Sequence, residues 1–304
     1  MKVIEPSVEI YREPDHFRKI ETIARVCTGT QDKVGSNPDF LRNLLNLGHG
    51  TPFEHVRVKV DRLHDPCPEC PEELLLKAIF GNGNLDSYGM SYRICGRTEK
   101  VLNPITGRKR KEFFMTLNGR DYLAMDGTLE QLKDLPEDDC YLTVKFTIDL
   151  GIARELIRHR QMSFMERSTR YAKWDKDVEF VRPLPFEWAK NGYTKSVEQP
   201  LSFGDIYDNW VYACRESETL YHFLLYAQEC SPQEARTCLN LSAATVLYVT
   251  GMYHQWADVL NLRLAKGAHP SMRYIMRKLI ELPDFPAEIL GMVDTEVLKN
   301  AKSE

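Results

Sequence analysis

The chain has 304 residues and 43% hydrophobic composition, which suits one large domain or one domain carrying an insertion. Its formal net charge of −4 supplies no overall basic field, so no nucleic-acid partner is expected. No apolar run approaches a membrane span and the N-terminal MKVIEPSVEIY lacks a signal-peptide apolar region, so a soluble, cytoplasmic protein without a membrane partner is expected. Eight cysteines in a chain of this length read as thiols or, where clustered, as metal ligands.

Val3 to Tyr11 alternates weakly and reads as a strand. Asp15 opens a helix with Phe17, Ile20, Ile23, Ala24 and Cys27 on one face. Asn37-Pro38 starts the next helix, which reaches Leu47 and stops at Gly48. There follows Gly48-His49-Gly50-Thr51-Pro52-Phe53-Glu54-His55, then an alternating strand through Val56, Val58 and Val60. Two histidines, a threonine and a glutamate between a helix stop and a strand start make a candidate site loop. A capping or structural histidine accounts for the same residues.

Between residues 62 and 140, His64, Cys67, Cys70 and Cys95 offer a C-x2-C knuckle with a third cysteine and a histidine. They read either as a tetrahedral zinc site or as free thiols. Gly107 to Lys111 is a basic, solvated turn. Asn118-Gly119, between F-F-M-T-L and Y-L-A-M, predicts a hairpin with a type I′ turn. Thr128 to Leu135 reads as a short helix and Tyr141 to Leu150 as a strand.

That strand leads into the densest stretch of the chain, Arg154 to Tyr171, with five arginines in eighteen residues. Helical spacing predicts a helix from Gly151 to about Gln161, with Arg154 and Arg158 on one face. A hydroxyl-rich loop with Ser163, Ser168 and Thr169 follows. A helix end running into arginines and hydroxyls is a candidate anion site, and a solvated face of Glu–Arg pairs is the plainer alternative. Val178 to Val181 reads as a strand and Ser202 to Cys230 as a long helix. Ser231-Pro232-Gln233-Glu234 is a capping box, Leu241 to Leu264 a second long and mostly apolar helix, and Pro270 starts a last helix to about Leu282.

Arg158-His159-Arg160, seven residues and then Ser168 resembles the R-H-R-x7-S signature of flavin-dependent thymidylate synthases. Ser163, Glu166, Ser168, Arg170 and Tyr171 follow the longer pattern S-x-N-E-x-S-x-R-Y, with Met165 in place of its asparagine. Gly48 to His55 is similar to the family's G-H-x-T-P-F-E-H, and Arg236 to Leu241 with Leu260 to Arg263 resembles its C-terminal R-x-x-L-x-L…L-N-L-R.

The resemblance implies an α+β fold: a small antiparallel sheet from strands near 3–11, 53–61 and 141–149, packed with long helices. Residues 1–61 and 141–304 would form this domain and 62–140 an inserted lobe with the hairpin and the candidate zinc knuckle. It implies reductive methylation of dUMP to dTMP, with methylenetetrahydrofolate as one-carbon donor, reduced FAD as hydride source and NADPH to reload the flavin, in a homotetramer. Arg263, His49 and Ser168 would be catalytic. Thr51, Arg158, His159, Arg160, Glu166, His254 and Asp258 would hold FAD. Glu155, Arg158, Glu166, Ser168, Thr169, Arg170, Arg236 and Arg263 would hold the nucleotide. A guanidinium such as that of Arg263 against a uracil edge would stabilise the ring anion left when N3 loses its proton. Met165, Met252 and Glu155 depart from the family's usual polar residues. A flavin-free or altered-specificity homologue, binding a pyrimidine nucleotide or a partner through the insertion, is therefore the alternative.

Overall fold

The computed structural model describes residues 1–61, 95–102, 109–124, 127–183 and 206–303. It divides into two compact units. One comprises Met1–Arg12, Thr22–Val34 and Leu142–Glu304; the other comprises Glu13–Glu21 and Gly35–Tyr141.

The single N-terminal strand expected from the alternation is two strands, β1 (Lys2–Ile4) and β2 (Ser7–Ile10). Pro6 stands between them without an N–H to give to a ladder. α1 (His16–Val26) starts as expected, with the Asp15 carboxylate accepting the N–H groups of Phe17 and Arg18. α2 (Pro38–Asn46) is capped by Asn37, whose side-chain oxygen accepts from Asp39 and Phe40. It ends on Gly48 at φ +74°. There the N–H of Gly48 reaches Leu45 and that of His49 reaches Leu44, a Schellman closure that favours glycine at the left-handed position. Thr51–His55 is a 3-10 turn, and β3 (Arg57–Asp61) follows.

β4 (Cys95–Leu102), β5 (Lys109–Asn118), α3 (Gly119–Ala124) and α4 (Leu129–Asp134) complete the second unit. Two expectations are corrected here. β3 does not join a sheet with the strands near 3–11 and 141–149; it is an outer strand of an antiparallel sheet ordered β3-β5-β4. The register sets Val58 opposite Leu117, and both are buried with Phe17, Ile20, Leu41, Phe53 and Leu132. Nor is Asn118-Gly119 a hairpin turn. β5 runs to Asn118, whose side-chain oxygen accepts the Asp121 N–H at 2.8 Å and so starts α3. Glycine follows because a Cβ at 119 would stand 2.8 Å from the Phe53 carbonyl oxygen. The capping box at Thr128 and Gln131 opens α4 as expected. Of the candidate zinc ligands, His64, Cys67 and Cys70 lie outside the described residues, and Cys95 opens β4.

The first unit carries β6 (Tyr141–Asp149), whose residues from Leu142 on belong to it, then α5 (Leu150–Leu156), β7 (Ser163–Glu166) and β8 (Glu179–Val181). α6 (Ile206–His222), α7 (Pro232–Ala235), β9 (Ala244–Met252), α8 (Tyr253–Arg263) and α9 (Pro270–Ile280) follow. The short α10 (Ala287–Leu290) and α11 (Thr295–Ser303), not expected from the sequence, close the chain. The main sheet is ordered β2-β6-β9-β7, with the pairs β2/β6 and β7/β9 antiparallel; β1 and β8 form a separate parallel pair.

The long helix expected over Leu241 to Leu264 is instead β9 followed by α8. β9 is buried at every position but one, so the alternation that marks a half-exposed strand is missing. Its β-branched and aromatic residues, Thr245, Val246, Tyr248, Val249 and Thr250, suit an interior strand. The turn into α8 is fixed by Gln255, which accepts the Met252 N–H at 2.8 Å. Beneath the sheet, Phe146, Trp256, Leu260, Ile275 and Leu279 form the largest apolar cluster, with the Trp256 indole N–H donating to the Leu142 carbonyl.

The close approach at Gly119 is testable. Gly119→Ala should destabilise the protein by about 1–3 kcal/mol, the usual cost of overpacking. Gly35→Ala, where an added Cβ meets nothing within 4 Å, should change little. Equal urea midpoints for the two variants would show that the 119 position tolerates a side chain.

Candidate functional site

The site in the first unit begins at the loop end of the main sheet. The Asp149 side chain accepts the Ile152 N–H at 2.8 Å and starts α5. The Leu150 and Gly151 N–H groups bind the carbonyls of Ala243 and Leu241, tying that start to the entry of β9. α5 was expected to run to about Gln161, but it ends at Leu156. The physical reason is Arg263. Its Nη2 donates to the Glu155 carbonyl at 2.7 Å, the carbonyl to which a continuing helix would bring the His159 N–H. The His159 N–H turns back to Leu156 instead, and Arg158 to Met162 form tight turns. A cation on the last carbonyls of a helix is favoured by their partial negative charge.

Arg263 makes two further bonds. Its Nη1 meets the Glu155 carboxylate at 3.2 Å and its Nε donates to His159 Nε2 at 2.8 Å. A ring nitrogen that accepts carries no proton, so His159 is neutral with its proton on Nδ1. Burial and the Arg263 charge hold the imidazole below its usual pKa, with Asp258 pulling the other way. Three of the five guanidinium N–H donors are thus engaged, and one on each Nη remains for a ligand.

β7 was expected as part of a polar loop. It is a strand, and Ser163 and Met162 at its start are buried. Its pairing on β9, with Glu166 opposite Leu247, delivers Glu166 to a cavity of about 350 Å³. Leu150, Arg154, Glu166, Arg167, Ser168, Thr169 and Arg236 line this cavity. Arg236 Nη1 donates to the Thr169 hydroxyl at 2.9 Å, and the Ser168 hydroxyl accepts the Arg170 N–H at 3.1 Å. Burial pushes the Glu166 carboxyl up, against the Thr245 hydroxyl and the Arg154 charge. Three guanidinium groups, two hydroxyls and one carboxyl around one hollow suit a ligand that joins an anion to sugar-like hydroxyls.

A second cavity, of about 610 Å³, lies between the Arg158–Met162 turns and one face of α8, where Gln255, Asp258, Val259, Asn261 and Leu262 line it. Arg158 and Arg160 are exposed, and no ion pair is recorded for either among the described residues. The structure therefore divides the expected residues. Ser168, Thr169, Glu166 and Arg236 meet in the smaller cavity; Arg158, His159, Arg160 and Asp258 meet in the larger one; Arg263 and Glu155 are joined to His159. The Arg170 guanidinium lies over the ring of the exposed Tyr171, 5.2 Å from its centroid. His254 is exposed in the first turn of α8.

His49 and Thr51 belong to the second unit and are exposed there. Their loop is held by Glu54, a buried carboxylate paired with Arg120 at 2.7 Å. Arg154 and Arg167 line the smaller cavity but were not among the expected site residues. Both were visible in the arginine-rich stretch, and Arg167 occupies a position that the signature leaves open. The two departures to methionine have a packing explanation. Met165 lies against the cluster of Ile23, Val26 and Tyr248, and Met252 is buried at the end of β9.

The family model described as "Thymidylate synthase complementing protein" matches residues 131–284, the segment that builds both cavities. The chain belongs to this family. A curated relative, the "Probable flavin-dependent thymidylate synthase" of Paramecium bursaria Chlorella virus 1, is 28% identical over 140 residues, covering 43% of this chain. The chain spans 60% of that relative's length. Among solved structures, a UMP/dUMP methylase PolB from Streptomyces cacaoi bound with 5-Br dUMP has a TM-score of 0.39 and 15% identity, over 100% of this chain and 97% of that one. The flavin-dependent thymidylate synthase ThyX from Helicobacter pylori, complexed with FAD and dUMP, has a TM-score of 0.37 and 22% identity, over 51% of this chain and 72% of that one.

The neutral His159 of this family member gives a pH test. Its folded pKa is lowered, so the unfolded chain, titrating near 6.5, binds its proton first as pH falls. The stability that neutral His159 contributes is full above about 6.5 and is lost as pH drops below that value. The His159 ring protons, followed by NMR, should titrate below the ordinary histidine value; a midpoint at or above about 6.5 would show that Arg263 does not hold the ring neutral.

Proposed function

We propose that this chain methylates C5 of dUMP to give dTMP, taking the one-carbon unit from methylenetetrahydrofolate. The observation that carries the proposal is the smaller cavity with its three guanidinium groups, two hydroxyls and one carboxyl, built, like the Arg263–Glu155–His159 group, by the segment that matches the family model. The name of the curated relative supports the same chemistry. Arg236, fixed on Thr169, and Arg154 bind the 5′-phosphate with the Ser168 and Thr169 hydroxyls. Glu166 accepts from a sugar hydroxyl or a ring N–H. The two remaining N–H donors of Arg263 face the uracil edge, where they stabilise the negative charge that grows as C5 becomes nucleophilic. Arg263 is only 19% exposed, so its charge is less screened than at an open surface. Its attachment to a helix end and to a neutral histidine fixes its plane before substrate arrives.

The larger cavity fits the pyrophosphate and ribose portions of FAD. Arg158 and Arg160 provide two exposed guanidinium groups, and Asp258 and Asn261 offer acceptors on the facing helix. FAD bound there in its reduced form would supply the hydride that completes the methyl group, with NADPH as the source of electrons. A homotetramer is the assembly that goes with this chemistry.

Purified protein should be yellow and should convert dUMP to dTMP with methylenetetrahydrofolate, NADPH and FAD. Arg263→Lys keeps the charge and loses the planar fork. Turnover should fall by about 10²–10³ with little change in the Kd for dUMP, the loss typical of one electrostatic contact made in the transition state. Weak dUMP binding with normal single-turnover flavin oxidation at saturation would make Arg263 a binding residue. A colourless protein that fails to bind added FAD and forms no dTMP would refute the proposed activity.

A further inference from the structure

We propose that Arg167 is a specificity-determining residue of the smaller cavity, which reads the full double charge of a nucleoside 5′-monophosphate. The inference rests on the reading of that cavity as the nucleotide site and adds a residue to it. Arg167 is fixed at its backbone, where its N–H donates to the Val246 carbonyl of β9 at 2.9 Å. Its side chain lies on an aromatic shelf, with the guanidinium carbon 4.7 Å from the centroid of the Trp174 ring.

The shelf is itself held. Trp174 is buried, meets Tyr221 edge-on at 5.9 Å, and its carbonyl is bound by His222 Nε2 at 3.1 Å. Arg167 Nε is buried and makes no hydrogen bond within the described residues. Burial holds the Arg167 pKa below its usual value, with Tyr221 and Glu179, whose carboxylate is bound to Lys2 at 2.8 Å, acting the other way. An arginine stacked on a fixed aromatic face, without a carboxylate of its own, keeps its outer N–H groups for a ligand in the cavity that it lines.

The charge count gives the specificity. Arg154, Arg167 and Arg236 face one carboxyl, Glu166. With Glu166 ionised, the balance is two positive charges, which matches a phosphate dianion. Without Arg167 it is one, which matches a monoanion. A phosphate monoester takes up its second charge near pH 6, so the preference is visible in how affinity changes with pH. The charged and titratable groups around Arg167 are Glu166 on β7, Arg154 on α5, Arg236 after α7, Glu179 on β8 and Tyr221 on α6. Of these Glu166 has its pKa raised by burial, against the Thr245 hydroxyl and the Arg154 charge. Its effect is of opposite sign, since its ionisation weakens anion binding, and it is present in wild type and variant alike.

The test uses the whole chain and three probes: dUMP, inorganic phosphate and the uncharged deoxyuridine, each titrated by calorimetry at pH 5 and pH 7.5. Arg167→Met keeps the aliphatic packing on Trp174 and removes the charge. It should weaken dUMP and phosphate by about tenfold or more at pH 7.5, the equivalent of about 1.4 kcal/mol, and much less at pH 5. Deoxyuridine binding should not change, and Arg167→Lys should restore part of the loss. In wild type, phosphate should alter the tryptophan fluorescence by disturbing the stack, and Trp174→Phe should abolish that change. Equal losses for dUMP and deoxyuridine, or a pH dependence in Arg167→Met equal to that of wild type, would overturn the assignment. If wild type makes dTMP while Arg167→Met titrates like wild type, the Arg167 inference alone fails. If phosphate binding depends on Arg167 as stated but no dTMP forms, the proposed function alone fails.

Discussion

The first unit depends on one buried strand. β9 lies inside the main sheet, between β6 and β7, and is closed to water along nearly all its length. Several parts of the candidate site in this unit are fixed to it. The residues just before it accept the N–H groups that start α5, and so place Arg154 and Glu155. Its edge toward β7 aligns Glu166, and its Val246 carbonyl holds the backbone of Arg167. Its last residue is the N-cap of α8, which ends at Arg263. A strand packed on both faces has few alternatives, because any one-residue slip would turn a whole set of side chains to the wrong face. The Thr143 and Thr250 hydroxyls, 2.8 Å apart between β6 and β9, satisfy each other inside that core, a cross-strand pair of the kind that contributes about 0.2–1 kcal/mol.

Arg263 shows how packing and chemistry share one side chain. Capping α5 ends the helix early and opens the tight turns that present Arg158, His159 and Arg160. Binding His159 and Glu155 fixes the guanidinium plane and leaves donors on both terminal nitrogens. The Glu155 carboxylate is the counter-charge of Arg263. The Arg263 charge is matched within the protein.

Much of the site was legible in the sequence because it depends on local spacing. The signature residues Arg158, His159, Arg160 and Ser168, with Arg236 and Arg263 far downstream, were all singled out by the motifs that contain them. The capping residues Asp15, Asn37, Thr128 and Ser231 marked helix starts that the structure contains. Such signals are legible because the donor, the acceptor and the glycine or proline that enforces the turn stand within a few residues of one another.

Tertiary structure decided the rest. Leu241 to Met252 has no period that separates an interior strand from an apolar helix, and only burial between β6 and β7 chose the strand. Asn118-Gly119 carries the composition of a tight hairpin, yet the Phe53 carbonyl pressed against Gly119 made it a helix start. Arg167 carries no motif. Its part in the cavity comes from Trp174, seven residues on, and from Val246, which is remote in sequence. The sequence by itself determined which groups are candidates for binding and where several helices begin, because those signals are short-range. Which groups share a cavity depended on contacts between distant segments that no local spacing records.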